Sequence, residues 1–156
     1  MNLADIISAD AVLPHLKAQS KKQLLHELAQ AAGQLTRLDQ RVVYDALMQR
    51  EKLGSTGLGQ GIAIPHAKIA GLERVHGVFA RLAAPVDFEA IDDQPIDLVF
   101  LLLAPEHAGA DHLKALARIS RLLRDPALVS KLRGTDNAAA LYAILIEPAA
   151  STPHAA

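Results

Sequence analysis

The chain of 156 residues contains no cysteine and no tryptophan, and only 3% of its residues are aromatic. Without cysteine the protein can form no disulfide, no iron–sulfur cluster and no thiolate metal site. Two tyrosines and three phenylalanines are too few for the stacking platforms that bind single-stranded nucleic acid. Since 51% of the residues are nevertheless hydrophobic, we expect a core built mainly from aliphatic side chains.

The sequence also lacks a charge excess and a long apolar run. Sixteen basic residues oppose seventeen acidic ones, so no overall field attracts nucleic acid or an anionic membrane. The longest strongly apolar run, residues 98–104, is far too short to cross a bilayer. The N-terminus does not resemble a secretory signal. We therefore expect a cytoplasmic protein, with one domain over residues 1–147 and a flexible tail over residues 148–156.

Helices and strands are predicted to alternate, which is typical of an α/β domain with some parallel strand pairing. Apolar residues at helical spacing predict helices at 21–35, 40–53, 111–124, 126–133 and 137–146. We expect Ser20, Asp39 and Asp136 to cap three of them, and Leu35 to lie on the buried stripe of the first. Predicted strands occupy residues 11–16, 62–64, 77–82 and 96–103.

The most unusual stretch is residues 54–68, in which four glycines within eight residues precede a short apolar strand. Glycine can adopt positive φ, so we interpret this segment as a pliable loop that approaches a ligand. Pro65 cannot donate to a strand ladder, so the strand should end there or lie near a sheet edge. His66 follows directly, and a histidine held at a strand end suits proton or phosphoryl chemistry.

Two more polar residues interrupt apolar faces. Arg50 continues the inward face of the second helix, and His112 lies on the apolar face in the first turn of the third. With His66 they predict a cleft that suits a phosphoryl group of about −1.5 to −2 charge. Arginine binds phosphate oxygens in a bidentate manner, and a helix N-terminus adds free N–H donors. The glycine segment is expected to add backbone amides beside the Ser55 and Thr56 hydroxyls.

Other motif interpretations are weaker. Residues 54–61 lack the Lys-Ser/Thr ending of a Walker A loop, and they precede a strand where a dinucleotide fingerprint opens a helix. Ser55 or Thr56 as a hydrolase nucleophile lacks the surrounding elbow motif. A zinc site from His66, His107 and His112 lacks the His-Glu-x-x-His spacing. A binding module that senses an anion without transfer chemistry remains an open alternative.

The sequence Arg-Glu-Lys-Leu-Gly-Ser-Thr-Gly at residues 50–57, followed by Gly-Ile-Ala-Ile-Pro-His at residues 61–66, strongly resembles one protein family. This family is the mannitol/fructose class of phosphotransferase-system enzyme IIA domains, and the resemblance is greatest to its nitrogen-regulatory branch. It extends from about Asp5 to Ile146 and includes residues 88–98 and the helix start at His112. The resemblance implies a single domain with a central mixed β-sheet flanked by helices, as in mannitol-specific enzyme IIA.

The resemblance also implies roles for individual residues. His66 would accept the phosphoryl group through Nε2, His112 would be the second active-site histidine, and Arg50 would stabilise the phosphate. The residues expected near the phosphate are Ser55, Thr56 and Gly57. No metal or cofactor is implied. The implied donor is an HPr-like histidine phosphocarrier, itself charged by an enzyme I, and the implied targets are potassium-transport or stress and nitrogen regulators.

Two features favour the regulatory branch over sugar transport. Gln60 is neutral, whereas mannitol-type members carry a carboxylate six residues before the acceptor. We also expect a single domain without an attached sugar permease or IIB module. A fructose- or mannitol-specific enzyme IIA that passes its phosphoryl group to a IIB domain remains the alternative within the family.

Overall fold

A computed structural model describes residues 2–147, in which helices flank a mixed β-sheet. The strands are β1 (Val12–Leu16), β2 (Gly57–Gly59), β3 (Ile62–Ala63), β4 (His66–Ile69), β5 (His76–Val86) and β6 (Ile96–Pro105). The helices are α1 (Lys21–Thr36), α2 (Gln40–Lys52), α3 (Ala110–Leu122), α4 (Pro126–Arg133) and α5 (Ala138–Ile146). The predicted α/β class and mixed sheet are therefore confirmed. The tail predicted for residues 148–156 lies outside the described residues.

The sheet has the strand order β1-β5-β6-β3-β2, and β4 pairs with β6 beyond the end of β3. The β5–β6 and β2–β3 pairs are antiparallel, whereas β1–β5, β3–β6 and β4–β6 are parallel. Strand β6 is central and almost completely buried, as its continuous apolar sequence predicts. None of the helices within residues 2–147 combines the length and apolarity that a membrane span requires.

The path around Pro65 agrees with the sequence prediction before the proline and differs from it afterwards. The predicted strand does end before Pro65, because β3 stops at Ala63. Beyond the proline, His66 opens β4, a strand that was not predicted and that pairs with Leu102 and the residues after it in β6. Proline lacks an N–H, but the carbonyl of Pro65 still accepts a hydrogen bond from the Leu102 amide at 2.9 Å. The extended chain therefore continues through the proline. The predicted strand lies near a sheet edge, as expected, because β3 pairs with β6 on one side and with β2, the last strand in the order, on the other.

The glycine segment is also more ordered than the predicted loop. Strand β2 pairs with β3 as a hairpin, and its turn residues Gln60 and Gly61 both have positive φ, at 58° and 82°. A Cβ at Gly61 would collide with the Arg133 guanidinium and the Asp97 carboxylate. Glycine is thus required at this turn by conformation and by the side chains packed against it.

Helix caps follow the predictions at two of three sites. Ser20 Oγ accepts from the Gln23 amide at 3.1 Å, and Asp39 caps α2. The predicted cap Asp136 is wrong, because Asn137 is the extended residue before α5 and its Oδ1 accepts from the Ala140 amide. Leu35 is also predicted wrongly as buried. It is 37% exposed in the last turn of α1, where it lines a small cavity open to solvent.

Candidate active site

His66 opens β4 with its ring half-buried and its Nδ1 atom 2.8 Å from the carbonyl oxygen of Ile64. A carbonyl oxygen can only accept, so in the neutral ring Nδ1 carries the proton and donates it to this bond. The other ring nitrogen, Nε2, then keeps an unprotonated lone pair. The two-residue path through Pro65 thus produces the tautomer that a nucleophilic imidazole requires.

The surroundings of His66 favour the neutral ring. Burial lowers its pKa from the ordinary value of 6.5, because burial disfavours the charged form. The Ile64 carbonyl opposes this effect by binding the protonated nitrogen, the Arg50 charge lowers the pKa further, and the Glu51 charge raises it. The net result is a lowered pKa, so the Nε2 lone pair is available at neutral pH.

His112 lies beside His66, as expected from its place in the first turn of α3. Its ring centroid is 5.8 Å from that of His66, and the residue is 7% exposed. Burial lowers the pKa of His112, and the charges of His66 and Lys68 act in the same direction. Its Nδ1 atom is buried and has no hydrogen-bond partner among the described residues. A buried polar atom left unpaired is costly, and such atoms call for an explanation such as a functional role.

Arg50 occupies the last turn of α2 and is half-exposed. Its Nη1 atom donates to the carbonyl oxygen of Gly54 at 3.0 Å, and no ion pair joins it to a carboxylate within residues 2–147. Since its charge lowers the pKa of His66, the guanidinium acts on the ring electrostatically. The structure therefore brings together Arg50, His66 and His112, the three residues selected from the sequence.

The groups of Ser55, Thr56 and Gly57 are not free donors, in contrast to the expectation from the glycine segment. Ser55 Oγ donates to the carbonyl oxygen of Phe88 at 2.9 Å and accepts from the Gly57 amide at 3.1 Å. The amide and the hydroxyl of Thr56 both donate to the Glu51 carboxylate. The physical reason is burial, since polar groups shielded from water must be paired inside the protein.

Glu51 and Lys21 were missed by sequence reasoning. Glu51 is 7% exposed, and its Oε1 atom lies 3.0 Å from Lys21 Nζ. A signal was present, because Glu51 follows Val43 and Leu47 at intervals of four on the buried stripe of α2. An acidic residue at such a position needs a buried partner. Nothing in the local sequence identifies Lys21 as that partner.

The described residues offer no metal centre. Within residues 2–147 no three His, Cys, Asp or Glu side chains cluster in a way that could hold an ion. His107, which the zinc alternative requires, is exposed and lines a separate groove with Leu72 and Pro105. The site therefore consists of two neutral imidazoles and a guanidinium, a set suited to an anion.

Comparison with known proteins agrees with this chemistry. The profile of the family described as phosphoenolpyruvate-dependent sugar phosphotransferase system, EIIA 2, matches residues 5–147. The chain belongs to this family. It is 56% identical to the nitrogen regulatory protein of Bradyrhizobium diazoefficiens over 151 residues, which cover 97% of this chain and 99% of that protein. The predicted membership of this enzyme IIA family is thus confirmed.

Solved structures of family members support the same assignment. The nitrogen regulatory protein IIA-Ntr from Neisseria meningitidis superimposes with a TM-score of 0.87 and 36% identity, covering 92% of this chain and 98% of that one. Mannitol IIA from Escherichia coli superimposes with a TM-score of 0.75 and 22% identity, covering 88% and 97%. The second similarity shows the shared fold alone, as expected from the sequence resemblance to the mannitol class.

Proposed function

We propose that this protein is a cytoplasmic phosphohistidine carrier of a nitrogen-regulatory phosphotransferase system. His66 accepts the phosphoryl group from an HPr-like histidine phosphocarrier. The observation that carries this proposal is the 2.8 Å contact between His66 Nδ1 and the Ile64 carbonyl, which leaves Nε2 unprotonated. Membership of the enzyme IIA family and the similarity to nitrogen regulatory proteins support it.

Transfer requires an in-line displacement at phosphorus. The Nε2 lone pair of His66 forms a new N–P bond while the N–P bond of the carrier's phosphohistidine breaks, and that bonding pair returns to the carrier's imidazole. No proton leaves Nε2, because it carries none. The proton stays on Nδ1 and remains hydrogen-bonded to the Ile64 carbonyl throughout, so the ring keeps its orientation after it has been phosphorylated.

The arriving group brings negative charge that the site must accommodate. Arg50 has no competing carboxylate in the described chain and can bind phosphoryl oxygens with its guanidinium. His112 adds a neighbouring imidazole whose Nδ1 lacks a partner among the described residues. These two residues stabilise the charge, whereas the hydrogen bonds of Ser55, Thr56 and Gly57 hold the 55–57 segment in place.

Regulation follows from the same charge. A phosphoryl group adds about −1.5 to −2 charge to a surface that carries exposed apolar side chains, including Leu58 on β2 and Leu113 beside His112. Target proteins that bind this surface distinguish the two states by that charge. Potassium-transport and stress or nitrogen regulators are the classes of target that the family suggests. A sugar-specific enzyme IIA that passes the phosphoryl group to a IIB domain is the alternative.

The test is the intact mass of the protein after incubation with enzyme I, its HPr-like carrier and phosphoenolpyruvate. Wild type should gain one phosphoryl group that mild acid removes, and His66→Ala should gain none while keeping its circular dichroism spectrum. His26→Ala is a matched control, because His26 is an exposed histidine on α1. An undiminished gain in His66→Ala would assign the acceptor elsewhere. No gain in wild type with an active cognate carrier would leave an anion-sensing module.

A further inference from the structure

Glu51 and Lys21 form a largely buried ion pair next to the site. Glu51 is enclosed by three donors, since Oε1 accepts from the Thr56 amide at 3.1 Å and lies 3.0 Å from Lys21 Nζ, while Oε2 accepts from the Thr56 hydroxyl. Burying a carboxylate is costly, and removing one partner of a buried pair leaves an uncompensated charge. The arrangement therefore holds Thr56 firmly against the end of α2.

From Thr56 the hydrogen bonds continue to the acceptor histidine. The carbonyl oxygen of Thr56 accepts from the Ile64 amide at 3.0 Å, and the carbonyl oxygen of Ile64 accepts from His66 Nδ1 at 2.8 Å. Thr56 and Ile64 are 5% and 2% exposed, so water has little access to replace either bond. Displacing Thr56 would move the peptide group that orients the imidazole.

Lys21 also contacts the 87–95 loop. Its Nζ atom lies 3.2 Å from Glu89 Oε1 and 4.6 Å from the ring centroid of the buried Phe88. The Phe88 carbonyl in turn accepts from Ser55 Oγ. Lys21 thus contacts both Glu51, which binds Thr56, and Phe88, which binds Ser55. The lysine side chain is only 16% exposed.

We infer that Lys21, Glu51 and Thr56 are positioning residues for His66. They hold the Ile64 peptide so that its carbonyl keeps the proton on Nδ1 and leaves Nε2 free. None of the three touches the reacting atoms. The effect on transfer rests on the proposed function, whereas the effect on the tautomer of the unphosphorylated ring does not.

The decisive variant is Thr56→Val, which keeps the side-chain shape but removes the hydroxyl donor to Glu51. Thr56→Ser restores that donor. Thr36→Val is the matched control, because the Thr36 hydroxyl donates to Ala32 and accepts from Leu38 at the end of α1, with no hydrogen-bond path to His66. Imidazole 15N chemical shifts of histidine-labelled protein report the tautomer, and single-turnover phosphoryl uptake reports the rate.

We expect wild type, Thr56→Ser and Thr36→Val to hold His66 as the Nδ1–H tautomer. Thr56→Val should show a mixture of tautomers and a roughly 10- to 100-fold slower uptake per folded molecule. A purely structural role would lower stability in both valine variants and leave tautomer and rate unchanged, which would overturn the inference. If Thr56→Val does not fold, Glu51→Gln decides by the same two readouts, since it removes the charge at nearly constant shape.

The two proposals can fail separately. If wild type takes up no phosphoryl group, the proposed function falls, yet the tautomer comparison still decides whether these residues position the ring. If wild type is phosphorylated but Thr56→Val keeps the wild-type tautomer and rate, the carrier function stands and the positioning role is lost.

Discussion

Arg50 and Glu51 are neighbours in the last turn of α2, and their charges act in opposite directions on the pKa of His66. Glu51 is buried and is bound by Lys21 and Thr56, whereas Arg50 is half-exposed and makes no ion pair within the described residues. One helix end thus contributes a carboxylate to the scaffold and a guanidinium to the site. The two adjacent residues should respond very differently to mutation.

Replacing Arg50 should slow phosphoryl uptake without changing its final stoichiometry. Arg50→Met removes the charge that stabilises the arriving phosphoryl group, and we expect a loss of about 10²-fold in the initial rate. The initial rate of Arg50→Lys should lie between those of wild type and Arg50→Met, because lysine keeps the charge but lacks the bidentate geometry of the guanidinium. Rapid-quench measurements of uptake test this, with exposed Arg41→Met on the same helix as the control. Equal rates in both methionine variants would remove Arg50 from the site.

Replacing His112 should slow transfer but leave the acceptor intact. His112→Ala removes the ring 5.8 Å from His66, so the phosphoryl group loses a neighbouring donor while Nε2 of His66 remains available. We expect about 10- to 100-fold slower uptake that still reaches one phosphoryl group per chain. Intact mass against time measures both quantities. A plateau near zero would instead identify His112 as an acceptor.

Stability should fall on mild acidification. The pKa values of His66 and His112 are lowered in the folded protein, chiefly by burial, so below pH 6.5 the unfolded chain binds protons more readily than the folded one. The free energy of unfolding therefore decreases as pH falls from about 6.5 toward the folded-state pKa values. Urea titrations between pH 5 and 7.5 test this. His66→Gln should reduce the slope, and an unchanged slope would contradict the assignment.

Gly57 should not tolerate a side chain. A Cβ there would lie 2.8 Å from the Ala90 Cβ and 3.0 Å from its Cα, so Gly57→Ala must displace the 87–95 loop from the β2–β3 hairpin. We expect a loss of about 1–3 kcal/mol in the free energy of unfolding, as for other overpacked sites. Gly134→Ala is the control, since its Cβ would meet nothing closer than 3.5 Å. Equal midpoints in chemical denaturation would show that the loop yields freely.

Local patterns in the sequence were enough to predict most elements, and a resemblance indicated the family. Apolar periodicity and capping residues located the helices, and the run of apolar residues identified β6 as the central strand. The segment from Arg50 to His66 indicated the family that the comparisons confirm. The helices and strands are predictable because they depend on residues a few positions apart, whose spacing determines which face is buried.

The tertiary structure alone decided which distant residues surround His66. The partners of Lys21 come from α2 and from Glu89, which is 68 residues away, and no local pattern pairs them. No local pattern predicts β4, which begins at His66, because its pairing partners lie in β6. A buried charge or strand edge takes whichever partner the fold brings within reach. The sequence by itself thus determined that His66 stands in a segment typical of the enzyme IIA family. Long-range packing determined which side chains and strands surround that histidine.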